Sequence, residues 1–149
     1  MKTRSGFTLV EILIVVVILG ILAAIVIPQF TQASTEARES SLVSNLQTIR
    51  SQIELYKIQH NDQPPAVATF EALMIGYTFI DHAIQAGPGA GVFGPYMQRV
   101  PVNPFSPANN LVDGAAGSSW NYTVNGTSYT FVANDGGTCP DGVTLHSAL

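Results

Sequence analysis

The run Phe7-Thr8-Leu9-Val10-Glu11-Ile12-Leu13-Ile14-Val15-Val16-Val17-Ile18-Leu19-Gly20-Ile21-Leu22-Ala23-Ala24-Ile25-Val26-Ile27-Pro28 decides how the rest of the chain is read. At about 1.5 Å of rise per residue, Phe7 to Ile27 makes a helix about 31 Å long. The hydrocarbon core of a bilayer is about 30 Å thick, so this segment is long enough to span it. Lys2 and Arg4 precede the run, and no further Lys or Arg occurs before Arg38. Basic residues favour the cytoplasmic side, which puts Met1 in the cytoplasm and everything after Pro28 outside it.

Two simpler explanations compete. A secretory signal peptide has an apolar region of about 7 to 15 residues ending at a small-x-small site. Here the apolar run is longer, and its small pair, Ala23-Ala24, is followed by more Ile and Val. A plain membrane anchor conflicts with Glu11, since a carboxylate at the centre of a membrane helix costs roughly 2.5 to 3.5 kcal/mol, less near the interface. A cut between Gly6 and Phe7 makes the acid intelligible. It creates an α-ammonium on Phe7, four residues from Glu11, able to pair with Glu11 of the same chain or of a neighbour. An unpaired buried acid would be strongly unfavourable in a packed bundle, so pairing between subunits sets register. A Glu near a helix N-terminus also suits the helix dipole.

Gly6-Phe7-Thr8-Leu9-Val10-Glu11, with a short basic leader before it and a spanning helix after it, resembles the cleavage and methylation motif of type IV prepilins. That family covers type IV pilins and the pseudopilins of type II secretion; Gly20 and Pro28 match it as well. The resemblance implies cleavage after Gly6 by a membrane aspartic prepilin peptidase, N-methylation of Phe7, and assembly roles for Glu11, Gly20 and Pro28. It also implies a bacterial inner-membrane protein that assembles into a homo-oligomeric helical filament, with local melting between Gly20 and Pro28 once packed there.

Beyond Pro28 an apolar stripe runs through Phe30, Ala33, Ala37, Leu42, Val43, Leu46, Ile49, Ile53 and Tyr56, mainly at helical steps of three and four. Glu54 and Lys57 sit on another face as an i, i+3 pair. The helix should stop near Asn61-Asp62, ahead of Pro64-Pro65. Its stripe needs a cover, which a soluble head supplies. Within the head, Thr69 to Ile75 reads as a short helix, and Thr78-x-x-Asp81 as a capping box opening another that ends at Gly87. Asn125-Gly126 is a two-residue hairpin signal. It pairs Val124 with Thr127, Tyr122 with Tyr129 and Trp120 with Phe131, giving one aromatic face suited to the core. A carbohydrate-binding platform is the competing use of that face.

The expected fold class is therefore α+β. A long N-terminal helix, half membrane-spanning and half soluble, packs against a small antiparallel β-sheet head. The expected divisions are a leader at 1–6, a membrane or filament-core helix at 7–27, its soluble extension at 28–61 and the head at 62–149. The order of parts also resembles the major pseudopilins of type II secretion, through Ile53-Glu54-Leu55-Tyr56-Lys57, Phe70-Glu71-Ala72-Leu73, Gly94-Pro95-Tyr96-Met97-Gln98-Arg99-Val100-Pro101 and Asn103-Pro104-Phe105. That likeness implies a periplasmic pseudopilus that drives protein export, with minor pseudopilins and an inner-membrane assembly platform as partners. A surface pilin for adhesion, motility or DNA uptake is the alternative, and a membrane-tethered binding domain a third reading.

The same likeness implies a calcium loop near the C-terminus. Asp135 and Asp141, within Asn134 to Gly142, are the candidate ligands, since oxygen donors in a tight Gly-rich loop suit that ion. Their spacing is not the family's and two carboxylates are few, so a solvated turn competes. No other cofactor is expected, and Cys139 is the single cysteine.

Composition limits the remaining functions. Charged residues make up 11% of the chain and the net charge is −4. No basic patch exists to displace counterions from a nucleic acid. Gly89-Ala90-Gly91-Val92-Phe93-Gly94 matches a dinucleotide-binding fingerprint, but it follows Gly87-Pro88 and runs into Pro95 where a helix should open. No Ser/His/Asp or Cys/His set has a usable arrangement, so the reading is of a non-enzyme.

Overall fold

The computed structural model describes residues 6–106, 118–137 and 146–148. In chain order they form α1 (Leu9–Gln59), a 3₁₀ turn (Val67–Thr69), α2 (Phe70–Ile75), β1 (Tyr77–Thr78), β2 (Ile84–Gln85), β3 (Trp120–Asn125), β4 (Ser128–Ala133) and a last 3₁₀ turn (His146–Ala148). Two compact units result, Met1–Ala37 and Arg38–Leu149.

In the first unit every large apolar side chain from Phe7 to Ile27 is at least half exposed. An apolar surface this extended marks a membrane or protein partner. The helix is unbroken through Gly20 and Pro28. Proline lacks an N–H and so forfeits one helical hydrogen bond. One turn on, the Thr31 hydroxyl donates to the Ile27 carbonyl (3.1 Å), and the Thr35 hydroxyl to that of Thr31 (3.1 Å).

The second unit holds the core. Leu42, Leu46, Ile49, Ile53 and Tyr56 are buried on α1, at steps alternating between four and three. They cluster with Phe70, Leu73 and Met74 of α2, with Trp120 and Tyr122 of β3, and with Phe131 and Ala133 of β4. The expected stripe began at Phe30, yet Phe30 is 76% exposed. Helical periodicity continues above Leu42, but the cover that buries it does not. Arg50 ties α1 to β4, donating from Nε and Nη2 to the Phe131 carbonyl (3.1 and 2.7 Å). Lys57 pairs with Glu54 (3.7 Å) and with Asp62 (3.4 Å). As expected, the helix gives way at Asn61 and Asp62, which adopt φ of 53° and 61°. Asn and Asp tolerate this left-handed region better than most residues.

Two local expectations are overturned. Thr78-x-x-Asp81 opens no helix. Instead β1 and β2 pair antiparallel through Tyr77–Gln85 and Thr78–Ile84, and Thr78 also bridges to Phe93. Asp81 makes the turn by accepting the Ala83 N–H at 3.1 Å, the Asx geometry that competes with helix capping. The second correction concerns the long hairpin. Its register is Asn125–Ser128, Val124–Tyr129, Tyr122–Phe131 and Trp120–Ala133, so Gly126-Thr127 forms the loop and Asn125 does not. Gly126 has a positive φ of 62° and Thr127 does not, the sign pattern of a type II′ turn with Gly first. The slip moves each partner by two residues, which leaves the faces unchanged. Trp120, Tyr122 and Phe131 are accordingly buried, as a core face and not as an open platform.

Candidate functional site

The amino end of α1 is built by Thr8 and Glu11. Thr8 lies just outside the helix, and its hydroxyl oxygen accepts the Glu11 N–H (3.3 Å). The Glu11 carboxylate returns to accept both the Thr8 N–H (2.7 Å) and the Thr8 hydroxyl (2.7 Å) on Oε2. This is a reciprocal capping box, satisfying donors that a helix start otherwise leaves unpaired. The acid therefore has an internal role before any ammonium meets it. Both donors converge on Oε2; Oε1 has no partner among the described residues. Phe7 is 82% exposed, and a side chain on Gly6 or Gly20 would meet no atom within 4 Å. The junction between Gly6 and Phe7 is open to a second molecule.

Gly6 and Phe7 lie just before α1, Glu11 sits in its first turn, and Gly20 and Pro28 lie inside it. Thr8 was missed in the sequence reading, although its signal was present: Thr-x-x-Glu directly before an apolar run is the signature of a capping box.

At the other end of the chain, Asp135 follows β4. Its Oδ1 accepts the Gly137 N–H (2.8 Å) and faces Nδ1 of His146 (2.9 Å), while Oδ2 accepts the Asn103 amide (2.9 Å). Burial disfavours its charged form, but the hydrogen bonds from Gly137, Asn103 and His146 win, and the carboxyl is held below the ordinary aspartate value. Asp141 and Cys139 lie outside the described residues.

Residues 1–27 match the prokaryotic N-terminal methylation motif. Type II secretion system core protein G of Pseudomonas aeruginosa is 32% identical over 117 residues, covering 78% of this chain and 79% of that one. The core protein G of Klebsiella pneumoniae is 30% identical over 70% of this chain and 71% of its own. That of Aeromonas hydrophila is 31% identical over 70% and 69%. The chain belongs to the type II secretion system core protein G family. No solved structure matches it.

Calcium takes about six to eight oxygen ligands. Among the described residues, the Gly137 N–H and the Asn103 amide donate to Asp135, and Nδ1 of His146 lies 2.9 Å from it. Among the described residues no group of three His, Cys, Asp or Glu side chains is placed to hold a metal.

Proposed function

We propose that this core protein G family member is the structural subunit of a periplasmic pseudopilus serving type II protein secretion. The observation that carries the reading is the exposed apolar surface of α1 joined to a methylation motif and to identity that extends well past that motif into the head. A bare anchor would share only the first of these.

In this proposal the precursor sits across the inner membrane with Met1 in the cytoplasm and the Arg38–Leu149 unit outside it. Cleavage after Gly6 and N-methylation of Phe7 produce the mature subunit. Extraction into the filament exchanges lipid for neighbouring helices around Phe7–Ile27, and Glu11 docks through Oε1 on the Phe7 amine of an adjacent subunit while Thr8 holds Oε2. The helix between Gly20 and Pro28 is intact in the single chain; its two weakest helix formers are where packing would melt it.

The test is mass measurement of the N-terminal peptide together with imaging of filaments and a secretion assay in cells lacking the gene. A peptide beginning at methylated Phe7, and secretion restored by the wild type but not by Glu11→Ala, is the expected result. Filaments on intact cells with secretion unaffected would instead make this a surface pilin. A protein still beginning at Met1 would overturn both readings.

A further inference from the structure

Six asparagines lie among the described residues, and five of them are held in place. The carboxamides of Asn45, Asn103 and Asn134 donate to the carbonyls of Val102 (2.9 Å), Ser119 (2.9 Å) and Ser118 (3.2 Å). Asn103 is also followed by Pro104, which has no N–H. After Asn61, the Asp62 N–H is committed to the Lys57 carbonyl at 2.8 Å. Asn121 is half-buried within β3, and Tyr122 after it is fully buried. Asn125 differs on every count. It is exposed at the end of the ladder, where it pairs with Ser128. Its carboxamide makes no hydrogen bond among the described residues, and neither does the N–H of Gly126. Gly126 has no side chain to shield that nitrogen, and a Cβ built there would meet no atom within 4 Å. An unbonded amide nitrogen thus adjoins an unbonded carboxamide in an exposed turn.

We propose that Asn125 is a self-modification site, at which the Gly126 nitrogen displaces ammonia from the Asn125 carboxamide. Solvent removes the Gly126 N–H proton, and the nitrogen's electron pair forms a bond to Asn125 Cγ. The Cγ–Nδ2 bond breaks, and Nδ2 leaves as ammonia with a proton from water. The product is a five-membered succinimide, and no oxidation or reduction occurs. Water then opens the ring. Attack on Cγ gives aspartate; attack on the main-chain carbonyl carbon gives isoaspartate, whose backbone runs through Cγ. The net change is one water gained and one ammonia lost. The ladder is the restraint, because its extended backbone is not that of the closed ring. Asn125 and Ser128 are the end pair of that ladder, and end pairs open most cheaply. Ser118 to Asn134 contains no charged residue, so either product puts a first charge on this hairpin. Isoaspartate also adds one methylene to the backbone at the closing pair, while the Tyr122–Phe131 pair lies further in. The inference concerns the hairpin tip and stands whether or not the chain builds a pseudopilus.

The full chain in detergent micelles, held for weeks in mildly alkaline buffer, is sampled by peptide mass mapping beside a synthetic peptide of residues 122–129. Isoaspartate is detected by enzymatic methylation, and released ammonia is measured. Asn125 should convert ahead of every other described asparagine, giving both aspartate and isoaspartate. Its rate should fall no more than about tenfold below the peptide's, since an end pair opens at little cost. Conversion should slow in mildly acidic buffer, because the attacking nitrogen must lose its proton. A peptide that converts beside a folded chain that does not would overturn the proposal. So would conversion first at Asn61 or Asn121, or aspartate formed without isoaspartate, which denies the cyclic intermediate. Asn125→Gln would need a six-membered ring and should abolish conversion at this position; ammonia release as fast as in the wild type would place the chemistry elsewhere and sink the idea. In the converted chain, amide exchange should quicken at Ser128 and stay unchanged at Tyr122 and Phe131. Unaltered protection at Ser128 would refute the opened tip.

Discussion

Thr8 and Glu11 hold each other across the first turn of α1, the Thr8 hydroxyl oxygen taking the Glu11 N–H while Glu11 Oε2 takes the Thr8 N–H and hydroxyl. The turn is thus capped from within the subunit. Thr8→Val keeps the shape and removes the hydroxyl, at a cost of about 1 kcal/mol to the helix end. Amide exchange in micelles should accelerate about fivefold at Leu9 to Glu11 and stay unchanged beyond the second turn. Thr8→Ser, which retains the oxygen, should restore protection; equal loss in both variants would refute the capping role.

Substitutions at two neighbouring residues decide the hairpin register. Gly126 has a φ of 62°, and a Cβ there would meet no atom within 4 Å. Gly126→Ala is therefore penalised by backbone strain alone, about 1 to 2 kcal/mol. Asn125 pairs with Ser128 at the end of the ladder and carries no positive φ, so Asn125→Ala should stay within about 0.5 kcal/mol of wild type. Were the loop Asn125-Gly126, both changes would destabilise. Chemical denaturation of the pair distinguishes the two registers.

What the sequence made legible followed from periodicity and length. The long apolar run, the stripe from Leu42 to Tyr56 and the aromatic face of Trp120 and Tyr122 each extend over several residues, and Pro64-Pro65 marks the stop at Asn61-Asp62. What it hid was set by single side chains choosing among partners. Thr78 is drawn into a strand by Phe93, a residue remote in sequence. The contacts of Asp135 with Asn103 and His146 come from residues remote in sequence. Thr8 stays hidden because a helix dipole and a new ammonium already account for an acid at Glu11, and neither demands a side-chain partner in the first turn.

Tyr122 links the sheet to the loop after α1. Its hydroxyl donates to the Pro65 carbonyl at 2.7 Å in a buried site, and burial first, then the neighbouring tyrosines, pushes the phenol's pKa above its usual value. Tyr122→Phe leaves the ring packing against Phe70 and Phe131 but strands a buried acceptor. The expected loss is about 1 to 3 kcal/mol in urea denaturation, and an unchanged midpoint would show that water reaches Pro65.

A pH dependence follows from His82, whose Nδ1 accepts the Tyr56 hydroxyl. Burial first, then the nearby His60 ring, lowers its pKa below 6.5, with Asp81 opposing in part. Because the folded value is depressed, the unfolded chain takes up the proton first as pH falls. The neutral ring's contribution is thus complete above about pH 6.5 and is lost progressively as pH drops toward the folded value. The Asp135 carboxyl, held below the ordinary aspartate value, contributes its own loss only at lower pH, so the fall between about pH 7 and 5 reports on His82. His82 has a φ of 68°, a conformation Asn accepts more readily than most residues. His82→Asn therefore removes the titration without adding backbone strain. Thermal unfolding of the full chain should show Tm falling from pH 7 to pH 5, with a shallower fall in His82→Asn. Identical slopes would mean that the Tyr56–His82 contact does not sense protons.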